Sequence, residues 1–194
     1  MPGHAVLPGL TITDTLREAA VHGVAVHAPD LAHLLPRLLL DPTAWWAVPD
    51  ERGDAYKHEL VVHTTRERTL KLNVWTLPDL RGGQTSRPHS HPWPFVAHIL
   101  HGGYTEDRYL PDAGTVLAHR RVEHAAGEAN DVGLHVYHEV TEIHEPGATL
   151  SLMVCGPGER GRWGYLDTDT GAHRAVERDL AFRARLAALN PHQP

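Results

Sequence analysis

An all-β barrel or sandwich with helices at its two ends is the fold class this sequence predicts, and three observations carry that expectation. From Ala55 onward, apolar and polar residues alternate in short runs. Those runs are separated by Gly- and Pro-rich linkers such as LPDLRGGQ, LPDAG and GPGERG. Helical spacing is confined to the two ends of the chain.

At the N-terminal end, Thr13 to His22 has the spacing of a helix, with Thr13 or Asp14 as its N-cap. Asp30 to Leu40 (DLAHLLPRLLL) is apolar on most sides, and Pro36 kinks it or delays its start. Trp45 and Trp46 come next as a core or lid aromatic pair. HELVVHT (58–64) and TLKLNVWTL (69–77) are rich in strand-forming residues and flank the charged turn TRER. FVAHIL (95–100), YTEDRYL (104–110), TVLAHRR (115–121), HVYHEVTEI (135–143) and TLSLMVCG (149–156) complete the strand series. Short strands at near-regular spacing build a sandwich or a barrel. Ala175 to Leu189 reads as an amphipathic helix before a frayed NPHQP tail. The expected organisation is one domain: an N-terminal helical extension over 1–54 packed on the barrel, the barrel over 55–170, and a C-terminal helix and tail over 171–194.

The 194 residues suit one domain of ordinary size, and 41% apolar residues is too high for a disordered chain. No apolar run approaches the roughly 20 residues of a membrane span. The opening MPGHAVLPGLTITD lacks the charged and apolar regions of a signal peptide. Cys155 is the single cysteine, so an intrachain disulfide is impossible. These features lead to the expectation of a cytoplasmic protein with no membrane partner; a homodimer is left open. A net charge of −6 argues against nucleic acid as the main partner. Two lysines, Lys57 and Lys71, stand against sixteen arginines, a bias that suits a GC-rich genome. The seventeen histidines form no tag-like run, and many fall in strand-like segments.

The informative segment is GGQTSRPHSHPWPFVAHILHGGY, residues 82–104. His89 and His91 stand two apart, and in an extended chain such residues share a face. Two imidazoles converging on one point suit a borderline divalent metal. The segment resembles the first motif of the cupins, G-x5-H-x-H-x(3,4)-E-x6-G, with Gly83, His89, His91 and Gly103 in place and Val96 where the family has a glutamate. The second cupin motif, G-x5-P-x-G-x2-H-x3-N, is matched in spacing from Gly127 to His138, with Gly133, His135 and Glu142 replacing its proline, glycine and asparagine. The resemblance covers about residues 56–166. It implies a cupin double-stranded β-helix, a jelly-roll barrel with short N-terminal helices and a C-terminal helix.

The resemblance also implies one divalent metal, held by His89, His91 and a third histidine. His138 takes that place by the second motif. DVGLHVYHEV…EPGATLSLMVCGP is also similar to the cysteine dioxygenase branch of cupins, and that alignment would make His135 the third ligand. It places Met153 and Cys155 where that branch carries a histidine and a tyrosine, which argues against a thiol dioxygenase. HPWPF (91–95), GGY (102–104), TLSLMVCGP (149–157) and RWGYL (162–166) together are similar to a further group of bacterial cupins. His98, two residues beyond Val96, is expected on the same face as a fourth ligand, an outer hydrogen-bond donor or a core histidine. Tyr104 and Tyr137 are candidates to bring a hydroxyl to the metal, or to fill the core. Glu106, Asp107, Arg108, Arg120 and Arg121 alternate along strands that are candidates to line the barrel; most read as solvated, with one arginine free to meet a substrate carboxylate.

Three neutral imidazoles without the glutamate leave a metal its full double charge and open positions. The expectation is an Fe(II) oxygenase acting on a small molecule such as an amino-acid derivative, in specialised metabolism. A zinc, nickel or manganese cupin performing isomerisation, elimination or bond-forming chemistry, or a binding cupin without catalysis, are the alternatives.

Overall fold

The computed structural model describes residues 3–80, 86–112, 115–160, 162–176 and 179–193, with side chains at 111–118 excepted. The chain opens with a hairpin, β1 (His4–Leu7) and β2 (Leu10–Ile12), followed by α1 (Asp14–His27), a 3-10 segment (Pro29–Leu34), α2 (Leu35–Leu38) and a 3-10 turn (Pro42–Ala44). The next strands are β3 (Trp45–Pro49), β4 (Ala55–Thr64), β5 (Thr69–Trp75), β6 (His89–Ser90), β7 (Phe95–His101) and β8 (Gly103–Asp112). Then come β9 (Thr115–Ala125), β10 (Ala129–Val132), β11 (Tyr137–Ile143), β12 (Thr149–Cys155), β13 (Gly164–Leu166), β14 (His173–Ala175) and the helix α3 (Leu180–Leu189).

The long strands form two antiparallel six-stranded sheets, in the orders β10-β7-β12-β5-β4-β3 and β14-β13-β6-β11-β8-β9. Trp75 and Ile99 of the first sheet pack on Tyr104, Val140 and Ile143 of the second and tie the two together. All seven expected strands are present, each within a few residues of its expected bounds. Alternation makes them legible, because one face of every strand is committed to an interior.

The largest apolar cluster lies outside the barrel. Leu60, Leu70, Leu72, Leu150 and Leu152 turn outward from the first sheet and meet Leu10, Ile12, Leu16, Ala20, Val24, Leu35 and Leu39 of the N-terminal segment. α1 starts where expected, with the Thr13 hydroxyl accepting from Leu16 N–H at 3.2 Å. It lies so close to β7 that a Cβ added at Gly23 would stand 2.6 Å from Leu100 Cδ1. The helix expected over 30–40 is instead a 3-10 segment and the single turn of α2, because Pro36 lacks an amide hydrogen and fits only a helix start.

Trp45 is buried in this outer cluster and donates its indole N–H to the Leu39 carbonyl at 3.2 Å. It opens β3, so the first sheet begins inside the 1–54 segment. The C-terminal helix is shorter than expected. Asp179 caps it by accepting from Phe182 N–H at 2.7 Å, Ala175 belongs to β14, and 177–178 lie outside the described residues. Beyond α3, Asn190 exchanges two hydrogen bonds with the Ala47 backbone, at 2.7 and 2.8 Å, and so pins the chain end to β3. Among the described residues no helix is long and apolar enough to cross a membrane.

Candidate metal centre

β6 is two residues long because Pro92 comes soon after it and cannot donate to a ladder. It lies between β13 and β11, and His89 pairs in register with His138 of β11. His91 stands one residue past β6 and returns to the same point. The three ring centroids are 5.0, 5.1 and 5.1 Å apart. His91 Nε2 and His138 Nε2 are 2.9 Å from each other. One ligand atom from each of His89, His91 and His138 falls within 4.8 Å of the others, which is the geometry of a metal-binding triad.

What orients His138 is Glu106, on the neighbouring strand β8. The His138 Nδ1–H donates to Glu106 Oε2 at 2.6 Å, so Nε2 faces the centre with its lone pair. Glu106 is 0% exposed. Burial by itself would raise its pKa, but His138, a hydrogen bond from His124 at 3.1 Å and Arg108 at 3.5 Å hold it well below the usual carboxylate range. The network extends across the barrel. Arg108 donates to Asn130 Oδ1 at 3.0 Å and to the Asp131 carbonyl at 2.6 Å, and Asn130 donates to the Tyr104 hydroxyl at 2.9 Å. A carboxylate behind a ligand imidazole is the outer support that metal-binding histidines commonly have. The donor set therefore fits a divalent ion of the iron, nickel or zinc kind.

A cavity of about 20 Å³ opens beside the triad, room for a single water molecule. Lys57, Trp75, Asp79, Tyr104 and Met153 line it together with His91 and His138. Asp79 Oδ2 lies 3.6 Å from His89 Nε2, and the Asp79 amide donates to Val140 O at 3.0 Å.

The expected site residues fall into those at the centre and those away from it. His89, His91 and His138 come together, and Tyr104 lines their cavity as a buried phenol. Burial and the nearby Glu106 raise its pKa, so its proton stays on. His135 is exposed in the turn before β11 and stands outside the triad. His98 is on the outer face of the first sheet, packed at a tilt against His27 of α1 with centroids 3.8 Å apart, and so plays no part at the centre. Burial and the His27 imidazole hold its pKa down. Tyr137 precedes His138 by one residue and therefore faces the other way, where its hydroxyl meets His173 Nδ1 at 2.7 Å. Cys155 is a buried small hydrophobe, its thiol pushed up to about 11 by burial.

Two further expectations are corrected. Val96 shares the outer face with His98, and the residues that reach the centre from β7 are Phe95 and Ala97. Phe95 packs edge-on against His91 at 5.0 Å. The cupin motif admits three or four residues after the second histidine, and the tandem Gly102–Gly103 satisfies both spacings. The three-residue spacing is the real one, since it pairs Phe95 with Gly102, whose φ of 64° needs a glycine. Gly83, the motif's first glycine, lies outside the described residues. Glu106 and Arg108 are not a solvated face: their parity along β8 is that of His138's neighbours, and it turns them inward.

Phe95→Glu brings a carboxylate to the triad and is expected to slow loss of bound metal to a chelator by tenfold or more, about 1.4 kcal/mol. Val96→Glu, on the outer face, leaves that rate unchanged. The opposite ranking would reverse the assigned parity of β7.

No family model matches the sequence, and no curated protein matches it. Among solved structures, KdgF from Halomonas sp. superposes with a TM-score of 0.40 at 15% identity, over 54% of this chain and 82% of its own. The polyketide cyclase RemF from Streptomyces resistomycificus gives 0.35 at 17%, over 68% and 84%. A structure described with the DMSP lyases RdDddP and RnDddQII gives 0.47 at 12%, over 82% and 77%. The fold is of the cupin type. Its two facing antiparallel sheets, with an H-x-H pair meeting a histidine of the adjacent strand, carry that statement. The cupin barrel here holds a group of three histidines able to bind a metal.

Proposed function

We propose that the protein is a metal-dependent cupin enzyme, and that it is an Fe(II) oxygenase acting on a small organic molecule such as an amino-acid derivative. One observation carries this reading: three imidazoles converge while an apolar ring, Phe95, occupies the place of the family's glutamate. A bound iron would supply dioxygen activation. The chain's own contributions are distinct. Glu106 fixes the His138 ring, Phe95 and Met153 keep bulk water from the cavity, and Tyr104 presents a protonated phenol at its wall. Phe95 brings no charge to the ion where a glutamate ligand would, which leaves room for an anionic or electron-rich partner, with Asp79 as the nearby carboxylate.

Elemental analysis of anaerobically purified protein, with oxygen uptake measured against a panel of amino acids, tests the reading. One equivalent of iron with substrate-dependent uptake is expected. Zinc, nickel or manganese with no uptake would move the protein to non-redox chemistry, and absence of stoichiometric metal would leave a binding cupin.

A further inference from the structure

Lys57 and Lys71, the two lysines of the chain, stand on adjacent strands β4 and β5, on the face of their sheet turned into the barrel. Glu59 lies between them. Lys71 Nζ donates to Glu59 Oε1 at 3.0 Å, whereas Lys57 Nζ forms a looser ion pair with Oε2 at 3.8 Å, beyond hydrogen-bond reach. The Lys57 ammonium instead lies over the rings of Tyr56 and Trp75, 5.6 and 5.2 Å from their centroids. Its side chain is 12% exposed, and among the described residues no acceptor is within hydrogen-bond distance of its nitrogen. Aromatic faces position a buried ammonium without replacing the acceptors that water gave it. Lys57 also lines the cavity that His91 and His138 line.

The neighbouring charges narrow what belongs there. Arg108, a cation near the triad, is committed to Glu106, Asn130 and the Asp131 carbonyl. Glu59 lies 3.0 Å from Lys71 Nζ, Glu106 lies 3.5 Å from Arg108 Nε, and Asp79 lies 3.6 Å from His89 Nε2.

We propose that Lys57 is the substrate-binding cation of this centre, and that the substrate is a small carboxylate whose anionic end pairs with Lys57 beside the metal. The assignment rests on the metal reading above and adds the substrate class to it. A compact ammonium suits the confined corner between two aromatic rings better than a planar guanidinium, which needs room for a fork of donors. The cavity has space for one water, so the carboxylate takes that volume, and the unbranched Met153 side chain shifts to admit the rest of the substrate.

Formate, the smallest carboxylate, is the probe, and the visible spectrum of cobalt-loaded protein is the readout. Formate is expected to perturb the wild-type spectrum saturably. Lys57→Met should weaken that binding by at least about tenfold, the scale of a charge-assisted hydrogen bond. Lys57→Arg should restore part of it, and Lys71→Met should leave it within about twofold because Lys71 already has Glu59. Imidazole, a neutral metal ligand, should bind the Lys57→Met protein as it binds the wild type. Equal formate affinity in wild type and Lys57→Met, or no response of the wild type to formate, overturns the proposal. Lys57→Gln replaces Lys57→Met if the latter does not fold, as judged by cobalt stoichiometry and Tm. If the wild type takes up no cobalt, it is the metal reading that fails. Lys57 is then judged by the Tm shift that formate gives the metal-free protein: loss of that shift in the variant supports the assignment, and an equal shift overturns it.

Discussion

His138→Ala is expected to lose stoichiometric metal, and His135→Ala to keep it. The two residues are three apart in sequence, and two alignments of the second cupin motif compete for them. Their surroundings differ completely. His138 is 6% exposed, 2.9 Å from His91 Nε2 and hydrogen-bonded through Nδ1 to Glu106, whereas His135 is exposed in a turn. Removing one of three ligands should cost more than the 10–100-fold typical of an outer support. Metal content after dialysis at a fixed free-metal concentration separates the variants. Retention by His138→Ala together with loss by His135→Ala would transfer the third ligand to the turn.

Glu106→Ala is expected to produce the largest loss of stability of any single polar change at the centre. Glu106 accepts from His138 and His124 and faces Arg108, in a position without access to water. Its removal takes the acceptor from two buried imidazoles and the counter-charge from the partly exposed Arg108 guanidinium, at a cost of about 3–5 kcal/mol. For a chain of this size that lowers Tm by about 6–20 °C. Metal affinity should fall by about 10–100-fold as well, since the His138 ring loses the acceptor that fixes it. Glu106→Gln keeps the shape and one acceptor oxygen, so it should recover part of the stability while remaining impaired in metal retention. Unchanged Tm and unchanged metal content in Glu106→Ala would show that the network does not hold the ring.

The strands and the H-x-H pair are legible in the sequence for a common physical reason: both depend on a period of two, which is a local property of an extended chain. What escapes depends on which strand lies beside which. Glu106 sits in YTEDRYL, where alternating charges look the same on a wet face and on a face turned into a polar barrel. Only the register of β8 against β11, which sets Glu106 and Arg108 beside His138, distinguishes the two. Phe95 escapes because Gly102 and Gly103 satisfy both permitted spacings, and the left-handed φ at Gly102 is a three-dimensional fact. The hairpin of β1 and β2 does have a local signal, the Pro8–Gly9 pair between two apolar runs, with Gly9 at φ 79°. Lys57 has one too. The rarity of lysine reads as composition bias in the sequence, and the barrel shows that the two lysines are not scattered.

The position of the main apolar cluster has a consequence for how such a protein changes over time. Leu70, Leu72, Leu150 and Leu152 anchor the first sheet to the N-terminal segment, while Lys71, Asn73, Ser151 and Met153 on the same strands face the barrel interior. Adjacent residues thus answer to separate demands, one set to cohesion and the next to chemistry. The lumen can exchange its side chains for those of another specificity while the leucines behind it keep the sheet in place. In this chain the N-terminal segment is what grants the interior that freedom to drift.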